Sequence, residues 1–424
     1  MKRTRRPDNL DIVRTVSEAE LVNLLGAMPA VTPRVVSSGN FATPKQVLGL
    51  LDKAVESYRL FVLNAQPDIP TRPDVVHETP FVGPGMRHSP RLDYLPMRLS
   101  LVSRLFATTR PPDVVVVHTS PIRSGKVSLG IEVNILPAAL EQAGARGGLI
   151  IAQVNPNMPY TLGDGEIDCD LVDLALEVDE PLQQPATGAA DERTTLIGGH
   201  VAELVEDGST LQLGIGQVPD EILGRLGEHR GLRIWSEMVS DGILELERLG
   251  VLDPDCPVQA SFISGSAELY EWADNNPRLR MLRTETANDP SLIARNRVMT
   301  SINTALQIDL YAQANASYVK GHIFSGFGGQ PDFVVGALHS VGGHAVIALP
   351  SWHNKTDSST VLPMLHTPVG SFQHSVVVTE HGCAHLFGRS QRAQARALIE
   401  ETADPRAHES LWDAADRFGL ADRR

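Results

Sequence analysis

The sequence predicts an α/β protein of two domains built on mainly parallel sheets, and three observations carry that expectation. Continuous apolar, β-branched runs recur, as in "DVVVVHTSP" (113–121), "GLIIAQVNPN" (148–157), "AVIALPS" (345–351) and "SVVVTEHG" (375–382). Runs of this kind, without polar alternation, are the strands of a parallel sheet buried on both faces. Helix-period stretches separate them, and strand–helix alternation is the pattern of α/β folds. The chain of 424 residues also exceeds one ordinary core, at roughly 100–200 residues per domain.

Taken in order, "PKQVLGLLDKAVESY" (44–58) reads as a helix entered through proline in its first turn. The segment at 72–96, dense in Pro, Gly and His, reads as a long ordered loop. At 179–194, "DEPLQQPATGAADERT" lacks any apolar period. A domain boundary is placed there, giving domains 1–185 and 186–424. Thr194 or Thr195 is the expected cap of the next helix, "TTLIGGHVAELVEDG" (194–208), and "QRAQARALIEETA" (391–403) is a further helix. "GNFATPKQVLGLL" (39–51) and "GIGQVPDEILGRL" (214–226) share a glycine, a proline five residues on, and apolar residues at matching offsets. This weak repeat implies related halves and an internal duplication.

Lys and Arg number 37 against 51 Asp and Glu, a net charge of −14 that argues against general attraction to nucleic acid or anionic lipid. The basic start "MKRTRR" is followed by no apolar h-region, and no apolar run reaches transmembrane length. A protein of the cytoplasm, away from membranes, is expected. Cys169, Cys256 and Cys383 are far apart and odd in number, which fits free thiols in a reducing compartment rather than disulfides or zinc.

Several places could hold chemistry. In "LQLGIGQVPD" (211–220), Gly214 and Gly216 would let backbone N–H groups face an anion at a helix start. A third glycine for a dinucleotide fingerprint is missing, and a tight turn is the plainer reading. "FSGFGGQPDF" (324–333) packs Gly326, Gly328 and Gly329 beside three phenylalanines, either as a bend or as a close backbone approach to a ligand. The histidines show no metal-ligand spacing and the serines no nucleophile elbow. Glu237, in "RIWSEMVSDGILELERLG", stands where a strand ends, and the ordinary role for such a residue is a helix-start carboxylate.

The wording around Glu237 is more particular than that role needs. "LQLGIGQVPDEIL", "SEMVSDGILEL", "ASFISGSAELYEWADNNP", "NDPSLIARNRVMTSINTALQIDLYAQANA", "SGFGGQPDF" and "VVVTEHGCAHLFGRS" closely resemble the acetyl-CoA hydrolase/transferase family. The likeness is strongest to its 4-hydroxybutyrate and butyryl-CoA:acetate CoA-transferase branch, and "RLDYLPMRLS", "SGKVSLGIEV" and "VNPNMPYTLGDGEID" extend it over nearly the whole chain. The resemblance implies two CoA-transferase-type domains and a ping-pong transfer of CoA between an acyl-CoA and a small carboxylate. Glu237 falls on the family's catalytic glutamate and would carry a glutamyl-CoA thioester. Gly214, Ile215, Gly216, Gln217, Val218, Gly328 and Gly329 would line the CoA thioester, and Asn288 would contact CoA. Coenzyme A is then a substrate, with no metal or tightly bound cofactor, and a homodimer is expected. An ionised Glu237 calls for a polar setting.

Departures from the family pattern stand beside the matches. Val341, Gly342, Gly343 and His344 replace a Lys-Gly-Gly-Lys run, arginines expected near Thr360 and Ser371 are missing, and Tyr160 stands for an arginine. Trp235, where a smaller polar residue is usual, would narrow the acyl pocket. A hydrolase on the same site and a CoA-binding protein without turnover are the rival readings. A sugar-phosphate isomerase follows from fold alone and lacks a phosphate-clasping lysine.

Overall fold

The computed structural model describes residues 13–28, 32–185, 191–214, 216–370 and 373–421. The chain divides into two compact units. One comprises Met1–Pro185, Gln259–Ala287 and Phe324–Gly328, and the other Ala186–Val258, Asn288–Ile323 and Gly329–Arg424.

The first unit holds an eight-stranded sheet in the order Arg14–Thr15, Leu174–Glu177, Leu149–Val154, Val114–Thr119, Arg34–Ser37, Tyr58–Val62, Val75–Thr79, Leu92–Tyr94. Every neighbouring pair is parallel. The strand Val114–Thr119 is buried along its whole length, as its unbroken valine run requires. The last two strands lie inside the segment expected to be a loop. Val75, Val76 and Thr79 suit a strand, and pairing with Tyr58–Val62 outweighs the surrounding prolines and glycines.

Polar groups stitch this unit at two places. Glu78, fully buried, takes hydrogen bonds from Arg34 (2.7 Å), Arg59 (3.0 Å) and Arg110. Burial alone would raise its carboxyl; the three guanidinium groups hold it below the ordinary value. The second place is Glu132, whose two oxygens accept from Asn40 (2.8 Å) and Asn134 (3.0 Å), while Asn64 donates to Asn40 (2.7 Å). All three asparagines have left-handed backbones, at φ 45°, 33° and 45° for Asn40, Asn134 and Asn64, a region Asn tolerates better than most residues.

Burial pushes the Glu132 carboxyl up to about 7 against the pull of the Asn134 and Asn40 amides. Its folded pKa lies above the unfolded one, so its contribution is complete below the unfolded pKa and is lost as pH rises through about 7. The loss amounts to about 3 kcal/mol. Glu132→Gln is therefore expected to show a flatter dependence of unfolding free energy on pH, with the wild type losing ground as pH rises from the ordinary carboxyl value toward about 7. Parallel urea titrations at acidic and alkaline pH check this, and identical slopes would refute it.

The second unit has a six-stranded sheet in the order Arg233–Ile234, Thr210–Leu213, Met299–Thr304, His344–Ala348, Val376–Thr379, Gly382–His385. It is parallel except for the last pair. The helix Gln330–His339 packs on the strands Met299–Thr304 and His344–Ala348. Both glycine–proline loops do lead into helices, Lys45–Ala54 and Gln217–Gly224. The helix expected from Thr194 begins earlier, at Glu192, because Asp191 caps it, accepting from the Thr194 N–H at 2.8 Å. Asp191 lies three residues before that donor, the reach a cap needs, and its charge suits a helix start. Among the described residues no helix is long and apolar enough to cross a membrane.

Candidate active site

Glu237 owes its position to the way its strand leaves the sheet. The Trp235 N–H donates to Leu211 O at 3.1 Å, in register with the strand Thr210–Leu213. Ser236 then turns the chain: its Oγ donates to Leu213 O (3.2 Å) and accepts from the Met238 N–H (3.3 Å). The carboxylate thus projects from a two-sided clamp. The next helix starts only at Asp241, with Ser240 as its cap residue, so Glu237 is not the helix-start carboxylate of the ordinary reading.

Two further segments of the same unit meet this side chain. Asn288, fully buried, donates from Nδ2 to Glu237 Oε1 at 2.5 Å. It is followed at once by the short helix Pro290–Ile293, capped by Asp289 through the Ser291 N–H. That helix packs on Gln330–His339 at Gly336, where a Cβ would stand 2.4 Å from Ile293 Cγ2. Close packing there brings the first turn of Gln330–His339, with its cap Gly329, up to the pair. A Cβ on Gly329 would fall 2.0 Å from Glu237 Oε1 and 2.3 Å from Asn288 Nδ2. Its backbone, at φ −91° and ψ −5°, is ordinary for any residue. Space, not conformation, demands glycine at 329.

Gly328 answers to a different neighbour. It is left-handed at φ 58°, and a Cβ there would stand 3.1 Å from the Phe81 ring, both residues lying in the first unit. In the other glycine loop, Gly216 caps the helix Gln217–Gly224 with φ 121°, a backbone that favours glycine, while Gly214 and Gly216 have open space where a Cβ would go. Gln217 is exposed and Val218 half-buried. Ile215 lies outside the described residues.

The electrostatics correct one expectation. Burial pushes the Glu237 carboxyl up to about 7; the Asn288 amide pulls the other way, and the charge of Asp332 adds to the rise. The setting therefore disfavours the charged form, because the half-buried Glu237 carboxyl meets a neutral amide and the charge of Asp332 rather than a cation. Near neutrality it is divided between acid and carboxylate. Such a group can attack an electrophilic carbon or take a proton, with one oxygen fixed by Asn288.

The places where cations were expected are built otherwise. Val341 is 90% exposed. Gly342 is left-handed at φ 73°, and a Cβ on Gly343 would strike Ala337 O at 2.2 Å, so this turn needs its glycines. His344 opens a strand and is lowered by burial. Thr360 is buried and donates to Pro350 O at 2.6 Å; Ser371 lies outside the described residues. Tyr160 donates to Glu166 at 3.1 Å, and the Arg123 guanidinium stands 5.3 Å from its ring centre, so a cation is retained beside the position that lost one. Trp235 packs, half-buried, against Ile293, Met299, Phe333, Val334, Ala337 and Ala345. Ser236 and Asp332 belong to the site and were not singled out from sequence. For Asp332 the signal was a carboxylate three residues after a cap glycine. Among the described residues no group of three or more His, Cys, Asp or Glu is arranged to hold a metal ion.

Known proteins place this arrangement in context. The acetyl-CoA hydrolase/transferase C-terminal domain matches residues 265–415. The 4-hydroxybutyrate coenzyme A transferase of Clostridium kluyveri is 39% identical over 355 residues, covering 80% of this chain and 81% of that protein. Among solved structures, 4-hydroxybutyrate CoA-transferase from Porphyromonas gingivalis superposes with a TM-score of 0.81 at 31% identity, covering 96% of this chain and 98% of its own. RipA from Yersinia pestis gives a TM-score of 0.89 at 28% identity with the same coverage. Sequence likeness over most of both chains, joined to a shared fold of mainly parallel sheets, makes this chain a member of the acetyl-CoA hydrolase/transferase family.

Proposed function

We propose that the protein is an acyl-CoA:carboxylate CoA-transferase in which Glu237 is the nucleophile of a ping-pong reaction. The observation that carries this reading is the Glu237 carboxylate held at 2.5 Å by Asn288, against a glycine with no room for a side chain. A Glu237 oxygen attacks the thioester carbonyl carbon, the C–S bond breaks, and CoA leaves as thiolate. The thiolate then attacks Glu237 Cδ and displaces the acyl carboxylate, leaving a glutamyl-CoA thioester. An incoming carboxylate reverses both steps. Holding the reactants in contact supplies up to roughly 7–11 kcal/mol of the barrier. In this reading backbone N–H groups at Gly329, Gly214 and Gly216 would stabilise the tetrahedral oxyanions, at roughly 3–4 kcal/mol for one donor.

Relatives whose names include CoA-transferases support the substrate class, an acyl-CoA and a small carboxylate. The reaction as written consumes no metal and no bound cofactor. We further propose that the chain works as a cytoplasmic homodimer, with Glu237 carried by the second domain, which begins at residue 186; sedimentation of the purified protein tests the dimer.

Mass spectrometry of the peptide carrying Glu237 after mixing with acetyl-, butyryl- or 4-hydroxybutyryl-CoA tests the mechanism. A glutamyl-CoA adduct, or its reduction by borohydride to an alcohol, supports transfer. Rapid CoA release without any carboxylate acceptor supports a hydrolase instead, and CoA binding with neither result marks a chain without turnover.

Because Glu237 must be ionised to attack, kcat/KM is expected to rise with pH along an acid limb centred near its value of about 7. Asn288→Ala removes the group that lowers this pKa and should move the limb upward. A pH–rate profile checks both, and a flat profile through neutrality would count against Glu237 acting as a carboxylate.

A further inference from the structure

The first turn of Gln330–His339 lies against Glu237 through its cap, Gly329. The start of a helix carries partial positive charge and unpaired N–H groups, and lowers the pKa of a nearby carboxyl. The Asn288 amide acts in the same sense. Together they would make Glu237 a stable, weakly basic carboxylate. The opposite holds: burial is the largest cause of the rise, and a second acid adds to it. Asp332, in the first turn of that helix and three residues after Gly329, is fully buried, and its charge pushes Glu237 up. Asp332 itself occupies the end of the helix that favours an ionised carboxylate. Among the described residues it is the charged side chain that acts on Glu237; Asn288 is neutral.

We propose that Asp332 is a positioning residue for the reaction, its buried charge favouring every state in which the Glu237 carboxylate has become a neutral acyl derivative. This rests on the reading of Glu237 as nucleophile. When a Glu237 oxygen bonds to the acyl carbon, the C–S bonding pair leaves with sulfur, and the negative charge passes from Glu237 to the CoA thiolate. When the thiolate then bonds to Glu237 Cδ, the charge leaves on the departing carboxylate. Each route takes a charge away from Asp332. Two carboxylates in a desolvated setting repel, and covalent bond formation relieves that repulsion. The same repulsion keeps free Glu237 basic, hence more nucleophilic.

The test uses the full chain carrying Asp332→Asn, and separately Asp332→Ser, which keeps a small polar side chain in the first turn should the first variant fold poorly. Two readouts are taken: the acid limb of kcat/KM, and the fraction of enzyme trapped as glutamyl-CoA at saturating acyl-CoA. The limb is expected to move down by about one pH unit, and the trapped fraction to fall severalfold. Folded variants whose limb stays in place or moves up would overturn the role of Asp332 while leaving Glu237 as nucleophile, provided Glu237→Gln is inactive. An active Glu237→Gln would instead overturn the reading on which the inference rests.

Discussion

Glu237→Gln is expected to fold normally and to lose transfer activity by about ten-thousandfold, with no glutamyl-CoA formed. The amide is nearly isosteric, so packing around the Ser236 clamp is preserved. Its nitrogen cannot form the anhydride or thioester, and a reaction routed through a covalent intermediate has no lesser path of similar rate. The variant also removes the group whose pKa stands at about 7. Its residual activity should therefore lack the acid limb near neutrality. Unfolding curves that overlay the wild type, together with the rate measurement, separate loss of chemistry from loss of fold. Retained activity above a tenth of wild type would move the nucleophile elsewhere.

Gly329→Ala is expected to cost about a hundredfold in kcat with little change in global stability. The backbone at 329 suits alanine, so the folded state is not strained by φ and ψ. The added methyl instead requires the space held by Glu237 Oε1 and Asn288 Nδ2, at 2.0 Å and 2.3 Å. The pair must separate or tilt, and misplacing a reacting group by about an ångström costs on the order of a hundredfold. Gly328→Ala supplies the contrast. It would strain a left-handed backbone and press on the Phe81 ring, so its effect should fall on stability rather than on kcat. Measuring unfolding and kinetics for both variants checks the distinction, and a Gly329→Ala enzyme with wild-type kcat would remove the steric claim.

Much of this protein was legible in its sequence. Val114–Thr119, Leu149–Val154, His344–Ala348 and Val376–Thr379 stand where unbroken β-branched runs required strands. Buried parallel strands need apolar residues on both faces, and that need is written locally. The motif around Glu237 singled that residue out as a candidate from resemblance, and the glycines at 214, 216, 328 and 329 were visible as exceptions to ordinary composition.

Other features depended on neighbours distant in sequence. Val75–Thr79 is a strand because Tyr58–Val62 offers it a partner, whatever the local density of proline and glycine. The segments Gln259–Ala287 and Phe324–Gly328 return to the first unit although they lie far along the chain, and the division of labour between Gly328 and Gly329 follows from that return. Nothing in the order of residues announces that Asn288 would meet Glu237, 51 positions earlier, or that Asp332 would share its charge with them. The sequence by itself determined the class of fold and the family, and it singled out Glu237 as the candidate carboxylate. Tertiary structure decided that carboxylate's surroundings, because desolvation and like-charge repulsion depend on what packs within a few ångströms, and packing is settled only when the chain has folded.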